Sequence, residues 1–186
     1  LREAGLQAEA VHGDISTDAG ADELVDEALA AGGRVDVLIN NYGVAEGGDW
    51  TSTPTAEWVG IYQKNVLSGV RLVHGLAPSM AERGWGRIVF VGTLGSLRPA
   101  ARMPHYYASK AVLPNLCVSL AKELAGKGIT VNLVSPGIIA TREIRATLER
   151  RAEKKGWGSD WNSIQREASQ DIFPNPTGRI AKIEEV

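Results

Sequence analysis

The chain has 186 residues, 44% of them hydrophobic, which is enough for one domain with a real core. Its 20 basic and 22 acidic residues leave a formal net charge of −2, so the composition carries no electrostatic footprint for nucleic acid or an anionic membrane. Cys117 is the single cysteine, which excludes an intramolecular disulfide and a thiolate metal cluster and suits a reducing cytoplasm; its apolar neighbours assign it to the core. No apolar run approaches the about 18 residues needed to span a bilayer, and Leu1-Arg2-Glu3-Ala4-Gly5 lacks the apolar centre of a signal peptide, so the chain reads as intracellular. It starts without methionine, in what reads as a helix end closed by Gly5, and it stops at Ile183-Glu184-Glu185-Val186; both ends read as cut.

In chain order, residues 8–13 form a short, partly alternating run that predicts a strand ending at Asp14, and Ser16-Thr17-Asp18 offers N-caps for a helix over 19–31. Residues 35–39 are a compact apolar run of the kind buried on both faces of a parallel sheet. Thr53-Pro54 opens a long helical stretch to about Arg83, as one helix or as two with a kink. Gly84-Trp85-Gly86 breaks it, and residues 87–91 predict the third strand, followed by a Gly-rich turn over 92–96. Pro104 suits the first turn of a helix to about Leu124, inside which Pro114 must bend the helix or free the carbonyl of Lys110. Residues 129–134 predict the fourth strand. From 138 to 176 the composition turns charged, with two helices over about 143–154 and 160–169, and the insertion reads as a helical lid over a site. Residues 178–186 read as the lead-in to a final helix and strand. The alternation of strand and helix implies one α/β domain with a parallel sheet over residues 1–186.

In such folds ligands bind beyond the carboxyl ends of the strands, which directs attention to Asp14, to Asn40-Asn41-Tyr42-Gly43, to Gly92 through Ser96 and to Pro136 through Thr141. Tyr106 and Lys110 lie four residues apart on one helix and share a face. A tyrosine has a pKa of about 10, and a neighbouring cation favours its phenolate, so the pair could work as a general acid/base. Tyr107, three residues from Lys110, shares that face equally well.

These motifs, in order, resemble those of the short-chain dehydrogenases/reductases. Asn40-Asn41-Tyr42-Gly43 looks like the family's Asn-Asn-Ala-Gly, Lys64-Asn65-Val66 like its mid-helix asparagine, Tyr106-Tyr107-Ala108-Ser109-Lys110 like its active-site signature, and Pro136-Gly137-Ile138-Ile139-Ala140-Thr141 like its nicotinamide loop. The resemblance implies a doubly wound Rossmann-type fold, incomplete here in its first two strands and its last helix and strand. It implies NAD or NADP as cofactor and a small alcohol or carbonyl substrate. By the same resemblance Tyr106 is the general acid/base, Lys110 lowers its pKa and holds the nicotinamide ribose, and Asn65 holds a relay water. Counting back thirteen residues from Tyr106, to where the family has a serine that donates to the substrate oxygen, gives Thr93, with Ser96 as its rival. Threonine keeps the hydroxyl but restricts its rotamer.

For the cofactor, the resemblance assigns Asp14 to the adenine amino group, Ile15 to its ring, Asn41 and Gly43 to the adenosine ribose, and Ile139 and Thr141 to the nicotinamide carboxamide. Tyr42 replaces the usual alanine and either turns away or reshapes that edge. The family's Thr-Gly-x-x-x-Gly-x-Gly phosphate turn occurs nowhere in the sequence, so the choice between NAD and NADP is not legible. The implied activity is reversible reduction of a hydrophobic ketone, a 3-oxoacyl thioester among the candidates, in a cytoplasmic dimer or tetramer. No metal is implied. The rival expectation is a non-catalytic or truncated protein acting by association.

Overall fold

The computed structural model describes residues 5–186, so the helix end expected before Gly5 lies outside the described residues. The chain divides into two compact units, Leu1–Val134 and Ser135–Val186. Within the first, the order is α1 (Asp18–Gly32), β1 (Val37–Asn40), α2 (Thr55–Tyr62), a π-turn (Gln63–Leu67), α3 (Ser68–Arg83), β2 (Gly86–Val91), α4 (Pro104–Glu123) and β3 (Ile129–Val134). The three strands are parallel in the order β1-β2-β3, with Leu38 opposite Ile88 and Ile88 opposite Val131.

One face of this sheet is covered. Ile88 and Phe90 point into a core filled by Val25 of α1, by Leu72, Val73, Leu76 and Met80 of α3, and by Leu113 and Cys117 of α4. The opposite face carries Val37 at 48% exposure, Ile39 at 61% and Val134 at 40%. The apolar run at 35–39 is therefore buried on one face only, because none of the helices of this unit that pack in the core lies on the other. The strand predicted over 8–13 does not form. That segment is irregular up to a turn at Ile15, and among the described residues it has no strand to pair with.

Local signals explain the helices. Thr17 caps α1 by accepting from Gly20 N–H at 3.2 Å. The stretch after Pro54 is continuous but not uniform, since the π-turn joins α2 to α3 and accounts for the kink. Pro114 lies inside α4, and the Lys110 carbonyl that it deprives of a helical donor accepts instead from Ser96 Oγ at 3.3 Å.

The second unit holds α5 (Arg142–Lys155) and α6 (Trp161–Asp171), packed through Leu148, Ala152, Ile164 and Ala168. Asp160 caps α6 by accepting from Ser163 N–H at 3.0 Å. Arg145 lies 4.3 Å over the Trp161 ring, and Lys155 5.3 Å over Trp157, so both tryptophans serve the packing of this unit. Residues 183–185 form a single 3₁₀ turn, braced by a paired Arg179–Glu185 contact. Among the described residues, no helix is long and apolar enough to cross a membrane.

Candidate active site

Four segments of the first unit converge beyond the carboxyl ends of β1 and β2: the loop after Asn40, the π-turn, the turn after Val91, and the first turns of α4. The π-turn places Asn65 at 4% exposure with its whole side chain engaged. Its Oδ1 accepts from Val44 N–H at 2.7 Å, and its Nδ2 donates to Val44 O at 3.0 Å and to Ser109 Oγ at 2.9 Å. Ser109 in turn donates to the Tyr106 carbonyl at 2.7 Å. An unbroken chain of hydrogen bonds thus runs from the loop through the helix kink to the backbone of Tyr106.

Thr93 ends the strand segment in extended conformation and caps a 3₁₀ turn over Leu94–Ser96, its Oγ1 accepting from Gly95 N–H at 3.2 Å. The Thr93 side chain also acts on the Tyr106 hydroxyl, favouring its phenolate. Burial acts more strongly in the opposite direction and pushes the Tyr106 phenol above its ordinary value, with a further upward push from the Tyr107 phenol. Ser96 Oγ is turned away from this hydroxyl, donating to Thr93 O at 2.8 Å and to Lys110 O.

Lys110 is 5% exposed, and burial holds its ammonium below the ordinary lysine value. Its Nζ donates to the Val91 carbonyl at 2.9 Å.

Beside Lys110 lies a cavity of about 160 Å³ lined by Ile15, Asn40, Asn41, Tyr42, Asn65 and Lys110 among others. Asn40 Nδ2 is buried without a partner, a donor left open to an acceptor. At Gly43 a Cβ would fall 2.9 Å from Lys110 Nζ and 3.0 Å from Asn65 Oδ1, so only glycine lets the backbone approach here. Asp14 accepts from Ser16 N–H at 3.0 Å and Ser16 Oγ at 2.6 Å, and these bonds hold its carboxyl below the usual range. Tyr42 neither withdraws nor fills the cavity; it stands at its wall, 45% exposed. Part of a dinucleotide fits these residues: an open amide donor, a glycine that admits close approach, and a carboxylate just before the turn that leads into α1.

Ile139 and Thr141 belong to the second unit. Ile139 bridges to Ala181, and Thr141 caps α5 by accepting from Ile144 N–H at 3.3 Å. Sequence reasoning gave no role to Ser109, whose buried hydroxyl joins Asn65 to Tyr106; its only signal was membership of the Tyr106–Lys110 segment. The orphaned amide of Asn40 and the seating of Tyr107 on Gly95 had no sequence signal at all, since both depend on tertiary packing.

The profile of the short chain dehydrogenase family matches residues 1–152, and the chain belongs to that family. The uncharacterized oxidoreductase YvaG of Bacillus subtilis (strain 168) is 34% identical over 141 residues, which is 76% of this chain and 53% of the relative. Acetoacetyl-CoA reductase of Cupriavidus necator is 38% identical over 114 residues, covering 61% of this chain and 46% of the relative. L-Sorbose reductase from Gluconobacter frateurii, solved with NADPH and L-sorbose, superposes with a TM-score of 0.85 at 28% identity, over 99% of this chain and 68% of that one. The chain spans about half the length of the curated relatives it matches.

Proposed function

We propose that this chain carries the acid/base half of an NAD(P)-dependent oxidoreductase that interconverts a secondary alcohol and a ketone. The observation that supports the reading is that Lys110 and Asn65 line one cavity at the strand ends, with Ser109 joining the Asn65 amide to the backbone of Tyr106. When bound, the nicotinamide supplies or accepts the hydride at the carbonyl carbon. In the reducing direction Tyr106 donates its hydroxyl proton to the carbonyl oxygen, and in the oxidising direction it takes that proton back. Thr93, with its acceptor side held by Gly95 N–H, would turn its one hydroxyl proton from the Tyr106 oxygen to the same carbonyl oxygen. Asn65 has both amide hydrogens engaged, so a relay water can be held only through the remaining lone pair of Oδ1. Lys110 would exchange the Val91 carbonyl for ribose hydroxyls, and Asp14, Ile15, Asn41 and Gly43 would face the adenosine end.

Names among the relatives, acetoacetyl-CoA reductase and 3-oxoacyl-[acyl-carrier-protein] reductase, favour a 3-oxoacyl thioester substrate; L-sorbose reductase favours a polyol or ketose. Tyr106→Phe in the full-length protein should lower turnover of acetoacetyl-CoA and L-sorbose by at least about a hundredfold while leaving nucleotide affinity unchanged. Retained turnover would overturn the reading in favour of a protein that acts by association. Assembly into a homo-oligomer in the cytoplasm belongs to the same proposal, supported by Val59 and Tyr62 on α2 and Val118 on α4, which are 40% exposed or more. Sedimentation should give a dimer or tetramer, and Val59→Lys with Val118→Glu should shift it toward monomer.

A further inference from the structure

The turn that carries Thr93 is seated on α4 at two points one helical turn apart. Ser96 Oγ reaches the Lys110 carbonyl at 3.3 Å, and Gly95 lies flat against the ring of Tyr107. A Cβ at Gly95 would fall 2.6 Å from Tyr107 Cδ1 and nearer still to Cε1, so the ring occupies the space that any other residue would need. The same ring stands edge-on to Tyr106, with centroids 5.1 Å apart and planes at 61°. Gly95 is also the residue whose N–H fixes the acceptor side of the Thr93 hydroxyl.

We propose that Tyr107 is a positioning residue: its ring wedges between Gly95 and Tyr106 and thereby holds the Thr93 hydroxyl against the Tyr106 oxygen. The inference rests on the reading of Tyr106 as acid/base, and it gives a task to a side chain that the family resemblance leaves without one. The mechanism is steric. With the wedge in place the 3₁₀ turn cannot move toward α4, Gly95 N–H stays on Thr93 Oγ1, and the threonine proton has one direction left. Without it the turn can sink into the vacated space, and the hydroxyl loses both its acceptor bond and its aim. The Tyr107 hydroxyl has no part in this, so the ring alone should suffice.

The test compares Tyr107→Ala, Tyr107→Phe, Thr93→Ala and the Tyr107→Ala/Thr93→Ala double variant in the full-length protein. One readout is independent of activity: the hydrogen-exchange rate of the Gly95 amide, measured by NMR. Tyr107→Ala should raise that rate at least about tenfold, while Tyr107→Phe leaves it at the wild-type value. With acetoacetyl-CoA or L-sorbose as the probe, Tyr107→Ala should lower kcat about tenfold with nucleotide KM unchanged, and Tyr107→Phe should restore it. In the Thr93→Ala background, Tyr107→Ala should have little further effect, because the hydroxyl it positions is gone. Unchanged Gly95 exchange in Tyr107→Ala, or losses in kcat that multiply in the double variant, would overturn the inference. If Tyr106→Phe keeps its activity, or wild type turns over neither probe, the functional reading fails and Gly95 exchange alone decides the role of Tyr107.

Discussion

Tyr106 shows how opposing influences set a charge state. Burial favours the neutral phenol, the Thr93 side chain favours the phenolate, and burial is the larger of the two, so the group titrates above the ordinary tyrosine value. Reduction of a carbonyl needs the protonated form and oxidation of an alcohol the deprotonated one. Reduction should therefore stay level through neutral pH and fall only above the ordinary tyrosine pKa, while oxidation rises throughout that range. Thr93→Val removes the influence that favours the phenolate and should move the oxidation limb to still higher pH, read from the pH profile of kcat/KM. Tyr106 and Lys110 stood out as a pair in the sequence because their spacing puts them on one helix face, whereas Thr93 and Asn65 were singled out only by the family resemblance. The burial that pushes the Tyr106 phenol up and the Lys110 ammonium down was not legible, since it depends on how α4 packs.

Among the elements, the π-turn has the largest effect on the site. An extra residue in the helical ladder re-aims Asn65 so that its amide faces Val44, giving and receiving a hydrogen bond with the same residue, as a neighbouring strand would. Next to it, Lys64 pairs with Glu46 at 2.7 Å, and farther along Gly48 O accepts from Met103 N–H at 2.9 Å. Residues 44, 46 and 48 are thus each tied down, and the loop between β1 and α2 is held without belonging to a sheet. Asn65→Ala leaves the Val44 groups and Ser109 short of partners and should destabilise the fold by about 2 to 4 kcal/mol, seen as a lower urea midpoint with unchanged slope. The sequence left one helix or two with a kink open, because apolar spacing tolerates a single inserted residue. It could not show what the kink was for.

At the scale of the molecule, the sheet is covered on one face and open on the other. Strand runs such as 35–39 read as buried on both sides because hydrophobicity records what a strand is suited to, and a covering layer is a property of other residues. The strand expected over 8–13 does not form for a related reason: an alternating pattern suits a sheet but does not by itself make one. Val37→Thr with Ile39→Thr should lower binding of a fluorescent hydrophobic dye while changing stability by less than about 0.5 kcal/mol, since little packs on those side chains. The existence of β2 and of the helical stretch that ends in α3, by contrast, was readable from local pattern and the Gly84-Trp85-Gly86 break between them. The open face has a practical consequence. Asn65, Thr93, Tyr106 and Lys110 take their positions from the covered layer and the strand ends, with no support drawn from the other side of the sheet. A polypeptide layer that clothed the bare face would therefore add burial without touching the residues proposed to handle the proton.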